Sequence, residues 1–179
     1  MRTTLLALGL AMASGAAVAN TGSISFHGQV DAGTCPIQII DPQTGLPVSR
    51  IFMGNIDAAQ IRQVDEETAS RTFGMRLTPG NGCTLIPGAV ASVTFTGAYG
   101  GAGANGALYA LQPGGSTGLA LVIKDDAGTQ VVNGAPSRPY ALHDSLPTSM
   151  LFSAAYRAIA AKVTPGHANT DLRFLVDIQ

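Results

Sequence analysis

Three groups of residues have side chains of a type that could do chemistry. His143-Asp144-Ser145 holds the three residue types of a hydrolytic triad. Gly101-Ala102-Gly103-Ala104-Asn105-Gly106 spells G-x-G-x-x-G, which cradles a pyrophosphate when it opens a helix. Cys35 and Cys83, with His27, His143 and His167, are the thiols and imidazoles that could hold a metal or act as nucleophiles. None has the spacing its chemistry needs. A triad is assembled by the fold from separate places in the chain, whereas these three residues are consecutive. The glycine run is followed by 107–111 and then at once by Pro113-Gly114-Gly115, which leaves no room for a helix. The histidines are scattered, with no Cys, Asp or Glu at metal-ligand spacing. No pair of carboxylates stands out as an acid/base couple, so no catalytic residue and no cofactor or metal is expected.

The targeting signals decide how the cysteines are read. Arg2, the apolar run 5–12 and Ala17-Val18-Ala19 form the three parts of a secretory signal peptide, assigned to residues 1–19. That apolar run is too short to span a membrane. About 160 residues then remain, enough for one domain with its own core, expected to be exported and soluble. In an oxidising compartment two cysteines default to one disulfide, Cys35–Cys83. The formal net charge of −1, with 12% charged residues and no basic cluster, argues against nucleic acid and anionic membranes as partners. Tryptophan is absent and aromatics are 6%, so no deep carbohydrate-stacking site is advertised.

Stepping along the mature chain, short apolar runs alternate with turn residues. Strands are expected over 24–30, 36–40, 49–53, 71–77, 91–96, 107–111, 119–124, 130–132, 150–162 and 171–178. Asp125-Asp126-Ala127-Gly128 reads as a hairpin tip, and Pro79-Gly80-Asn81-Gly82 and Asn133-Gly134 as turns. Residues 60–70 are the one stretch that could turn helically; Asp65, Glu66 and Glu67 read better as a solvated loop face. Many short strands with turns at this spacing indicate an all-β sandwich.

Two stretches organise the rest. At the end, Leu172, Phe174, Val176 and Ile178 alternate with Arg173, Leu175 and Asp177, so four large apolar groups share one strand face. Such a strand needs a sheet neighbour, and only Gln179 follows it. At the front, Ile24, Phe26, Gly28 and Val30 alternate with Ser25, His27 and Gln29 in the same manner. The reading is that the front strand serves as the missing neighbour in another copy of the protein. The alternative is an ordinary first strand of its own domain, which predicts a stable monomer. Gly28 interrupts the pattern where a backbone or a shallow groove leaves no room for a side chain, or where the strand bulges.

In this order and spacing the fragments resemble pilins of the chaperone–usher pathway, close to type 1 fimbrial major subunits. The residues that carry the resemblance begin with Ile24-Ser25-Phe26-His27-Gly28-Gln29-Val30 ahead of Cys35, then Met53-Gly54-Asn55-Ile56. Phe73-Gly74-Met75-Arg76-Leu77 precedes Cys83, and 119–125 precedes a hairpin. Phe152, Ala155-Tyr156 and Ala158 lead to Gly166, fourteenth from the C-terminus, and to Phe174-Leu175-Val176. Two features differ from the family pattern: Ile178 stands where an aromatic is usual, and the gap from Leu77 to Cys83 is longer. The resemblance implies an immunoglobulin-like sandwich lacking its final strand, completed in trans. It divides the mature chain into an N-terminal extension (20–33) that donates a strand and a pilin domain (34–179). Ile24, Phe26, Gly28 and Val30 would be the donor strand; Leu172, Phe174, Val176 and Ile178 would line the groove; Gly166 and Tyr156 belong to the C-terminal motif. The implied partners are a periplasmic chaperone, an outer-membrane usher and other pilins, in a fimbrium on a Gram-negative cell surface. A minor or adaptor subunit, or a small adhesin with a host-surface receptor, is the second functional class, and a secreted enzyme the third.

Overall fold

A computed structural model describes residues 35–179 in full and the backbone of 22–28. The signal peptide assigned to 1–19, Val30 and the side chains of Ile24 and Phe26 lie outside the described residues. Among the described residues twelve strands are present: β1 (Gly22–Gly28), β2 (Ile37–Ile40), β3 (Arg50–Gly54), β4 (Arg71–Leu77), β5 (Val90–Gly97) and β6 (Gly101–Ala102). They continue with β7 (Leu108–Tyr109), β8 (Leu119–Asp125), β9 (Gln130–Val131), β10 (Tyr140–Ala141), β11 (Thr148–Ala158) and β12 (Thr170–Ile178). One sheet has the order β10-β5-β12-β1-β3; the other runs β2-β4-β11-β8-β7-β6, with β9 hydrogen-bonded to β8. The expected all-β sandwich is what the chain forms.

The alternation in the sequence becomes the core. In β11, Met150, Phe152, Ala154 and Tyr156 face inward, while Leu151 and Arg157 do not. Beside them in the same sheet lie Phe73, Met75 and Leu77 of β4, and across the interior they meet Val93 and Phe95 of β5. Phe152 lies at the centre, its ring 5.6 Å from Phe73, 5.1 Å from Phe95 and 5.4 Å from Tyr140 between centroids. β8 reads as a continuous apolar run because both of its faces are covered. Leu119, Leu121 and Ile123 face the main core, while Ala120 and Val122 sit under Leu108 and Ala155.

Turn chemistry fixes the register. The β8–β9 hairpin closes on Asp125, whose buried Oδ1 accepts from the backbone of Ala127 and Thr129 at 3.0 and 2.8 Å, with Gly128 at φ +80°. Cys35 and Cys83 form the disulfide, with Cα atoms 4.5 Å apart. The long Leu77-to-Cys83 gap is taken up by a tight turn. Gly80 and Cys83 exchange both backbone hydrogen bonds, and Asn81 and Gly82 sit at φ +50° and +93°. Asn-Gly is the pair such a turn favours.

Two expectations need correction. The strand expected over 150–162 stops at Ala158: Ile159 makes one further ladder bond, to the Gly118 carbonyl, and Gly118 at φ +82° bends the partner away from an extended path. The acidic stretch is not simply solvated: Glu67 is clamped to the outer face of the second sheet. Its Oε2 receives Lys124 Nζ at 2.7 Å and its Oε1 receives Arg157 Nη2 at 2.5 Å. Asp65 and Thr68 also bond to the backbone of Ala158 and Tyr156, so this loop is stitched to β11. Burial alone would raise the Glu67 pKa, but the hydrogen bonds and charges of Lys124 and Arg157 outweigh it and hold it below the usual carboxylate range. A lowered native pKa means that the stabilisation is present above the unfolded value near 4.5 and is lost as pH falls through the native one. Glu67→Gln is therefore expected to cost on the order of 1 kcal/mol at pH 7. In urea titrations the gap from wild type should close below about pH 4. A gap that persisted into acid would show that charge is not what clamps the loop.

Candidate functional site

The candidate site is the slot between β12 and β3. On one side β12 is zipped to β5 in antiparallel register, Leu172 opposite Gly97, Phe174 opposite Phe95, Val176 opposite Val93 and Ile178 opposite Ala91. Leu172 is fully buried, and Phe174, Val176 and Ile178 are half-buried against the core. Arg173, Leu175 and Asp177 face outward. The four residues read as one apolar face therefore lie on one face, continuous with the inner side of β5. On the other side, Ile51 and Met53 of β3 are buried while Arg50 and Phe52 are exposed.

The backbone of β1 runs between these walls, parallel to β12 and antiparallel to β3. Its register sets Ile24 opposite Ile51 and Thr170, Phe26 opposite Leu172 and Gly28 opposite Phe174. Among the described residues the front strand thus lies beside β12 in its own chain, the placement of an ordinary first strand rather than of one given to another copy. The reason is chemical: without it, β12 and β3 present facing rows of N–H and C=O groups above an apolar floor, and a single chain has this segment at hand to cover them. Beyond Phe174, residues 175–178 pair with no described strand on that side.

At the start of β12 the slot ends in a cavity of about 310 Å³, lined by Gly54, Ile56, Leu119, Tyr156, Val163 and Gly166 among others. The two residues of the expected C-terminal motif meet here. The Tyr156 hydroxyl donates to the Ala168 carbonyl oxygen, tying β11 to the strand that follows, and burial pushes its pKa up. Gly166 passes so close to the 115–118 loop that a Cβ would lie 2.6 Å from the Ser116 nitrogen. Only glycine permits that crossing. Thr170 is anchored by its hydroxyl to the Ala110 carbonyl at 2.7 Å, and Asp171 accepts from the Tyr99 hydroxyl at 2.9 Å. β12 is held rigidly at this end.

The residues that resembled catalytic groups are used structurally. His143 Nδ1 accepts backbone hydrogen bonds from Ser145 and Leu146 at 3.2 and 3.1 Å, closing an exposed turn. Gly101–Gly106 is an ordered strand-and-turn in which a Cβ on Gly101 would lie 2.4 Å from the Gly106 carbonyl oxygen. Against the expectation that the chain has no G-x-S-x-G nucleophile elbow, Gly114-Gly115-Ser116-Thr117-Gly118 spells that motif. It leads into β8 rather than a helix, and the Ser116 hydroxyl donates to the Thr164 carbonyl at 2.8 Å. Among the described residues no group of three His, Cys, Asp or Glu is placed to hold a metal ion.

The all-β sandwich of two sheets is the fold of chaperone–usher pilins. A family model described as fimbrial protein matches residues 24–179, and the chain belongs to that family of non-enzymatic surface-fimbria components. A "probable fimbrial subunit LpfE" of Escherichia coli O157:H7 is 39% identical over 72 residues, 38% of this chain. The match spans 40% of that relative's length. The Burkholderia pseudomallei antigen and type I fimbria protein BPSL1626 is similar in structure at TM-score 0.55 and 28% identity, over 89% of this chain and 92% of that one. The P pilus rod subunit PapA shares the fold at TM-score 0.55 and 23% identity, over 80% and 99%.

Proposed function

We propose that the chain is a structural subunit that polymerises by placing residues 20–33 of one copy in the β12–β3 slot of the next. The single observation that carries this reading is the slot itself, two strand edges over an apolar floor bridged by a segment from the far end of the chain. Transfer of Ile24, Phe26 and Val30 from water at roughly 1.5–3 kcal/mol each gives on the order of 5–9 kcal/mol before ordering costs. Cis and trans occupancy are not equivalent. The chain's own strand lies parallel to β12, the less stable pairing per residue. A strand from a second copy is free of the tether at Cys35 and can run antiparallel. The contact is head-to-tail and does not close, so it generates a filament.

The same open slot explains why export would require a periplasmic chaperone, which covers it until an outer-membrane usher exchanges the cover for the next subunit. The cavity beside Gly166 and Tyr156 leaves room next to Pro165 and Ala168, just ahead of β12, for an incoming side chain. Deleting residues 20–31 is expected to abolish fibres while leaving a groove-bearing domain that still binds a chaperone. Fibres at unchanged yield by electron microscopy would overturn the proposal.

A further inference from the structure

A second cleft, of about 520 Å³, lies on the opposite side of β3 from the slot, along the seam where the two sheets' edge strands meet. Its rim carries Arg50 and Phe52 of β3, Ser70, Arg71 and Thr72 at the start of β4, and Gln43. Phe52 is 63% exposed, a cost that the inner face of β3 does not require, since Ile51 and Met53 already fill the core. The two arginines differ from the cations that are already engaged. Lys124 and Arg157 are bound to Glu67 and Arg138 to Asp126, and Arg76 donates to the Gly45 carbonyl. Arg50 and Arg71, by contrast, make no ion pair among the described residues. Gly54, at φ +81°, leaves room for the Arg71 guanidinium, which would lie 3.5 Å from a Cβ placed there. The one acid lining the cleft, Asp41, is engaged with the backbone N–H of Gln43 at 2.8 Å.

We propose that this seam cleft binds a carboxylate-bearing sugar. Arg50 and Arg71 supply guanidinium donors for the carboxylate, Phe52 an apolar face for the ring, and Ser70, Thr72 and Gln43 partners for its hydroxyls. The volume falls in the range of small-ligand sites. An acidic segment of a second copy is the less fitting occupant, because the chain's acidic stretch is already committed. Glu67 is ion-paired, and Glu66 Oε2 accepts from the backbone of Arg62 and Gln63. The site does not depend on polymerisation, but repetition along a fibre would multiply a weak single-site affinity.

The test is an NMR titration of the single chain made soluble by carrying residues 20–31 after Gln179 through a flexible linker, with sialyllactose and, separately, with lactose, which lacks the acidic ring. Sialyllactose should bind at least about tenfold more tightly than lactose and perturb Phe52, Arg50 and Arg71. Arg50→Gln with Arg71→Gln should weaken it by about tenfold or more with an unchanged melting temperature, both residues being exposed. Phe52→Ala should weaken both sugars alike. Equal affinity for the two sugars, or an unaffected double variant, would overturn the site. So would a hexaglutamate peptide that binds the cleft in preference to sialyllactose, which would make this face a protein contact instead.

Discussion

Replacing Cys35 and Cys83 together with alanine is expected to lower unfolding stability by roughly 4 kcal/mol, the largest effect available from two small changes. The bond closes a loop of sequence separation 48, and releasing it returns that loop's conformational freedom to the unfolded chain. It also holds a vulnerable strand. β2 has four residues, sits at the sheet edge and among the described strands pairs with β4 alone, and Cys35 precedes it while Cys83 follows the turn after β4. The disulfide thus clamps the start of β2 to the strand it pairs with. Urea unfolding of the wild type in oxidised form and of the double alanine variant should show the difference, with a larger m-value for the variant because its unfolded chain is less compact. A loss under about 1 kcal/mol would mean that the strand pairing, rather than the cross-link, orders this edge.

Phe152→Ala is the second large effect, expected to cost about 3–5 kcal/mol. The side chain is 1% exposed and touches aromatic rings from both sheets, Phe73 beside it on β4 and Phe95 across from it on β5, with Tyr140 closing the third side. Truncation removes the transfer energy of the ring and three aromatic contacts, and the sheets cannot close over the void because their strands are fixed by hydrogen bonds. Phe152→Leu should recover half or more of the loss, since it refills most of the volume. If both variants matched the wild type in thermal unfolding, Phe152 would not be the keystone of the core.

The sheets were largely legible because the strands that build them alternate cleanly. β4, β5, β8, β11 and β12 fall within a residue or two of expectation at most of their ends, and Gly128 and Asn81-Gly82 mark their turns. β6 and β10 escaped notice because two residues carry no period, and each exists only through a partner elsewhere, Tyr140 opposite Ala91 in the case of β10. Glu67 looked solvated because its partners Lys124 and Arg157 lie 57 and 90 residues away. The seam cleft was invisible for the same reason: Arg50 and Phe52 of β3 meet Arg71 of β4 only in the fold, and their outward positions carry no signal of their own. The slot is intermediate. Its wall, Leu172 to Ile178, was plain from alternation, but Gly166 and Tyr156 carried no periodic signal and stood out only through resemblance.

The most direct test of the account moves the donor strand. Residues 20–31 are removed from the front and attached after Gln179 through a short flexible linker, so that they return antiparallel to β12 as a hairpin partner would. The account predicts a soluble, heat-resistant monomer that no longer enters fibres, while the unaltered chain, made without a chaperone, aggregates or is degraded. If the unaltered chain is instead an equally heat-resistant monomer that never exchanges its strand, the domain is complete in itself and the assembly mechanism fails.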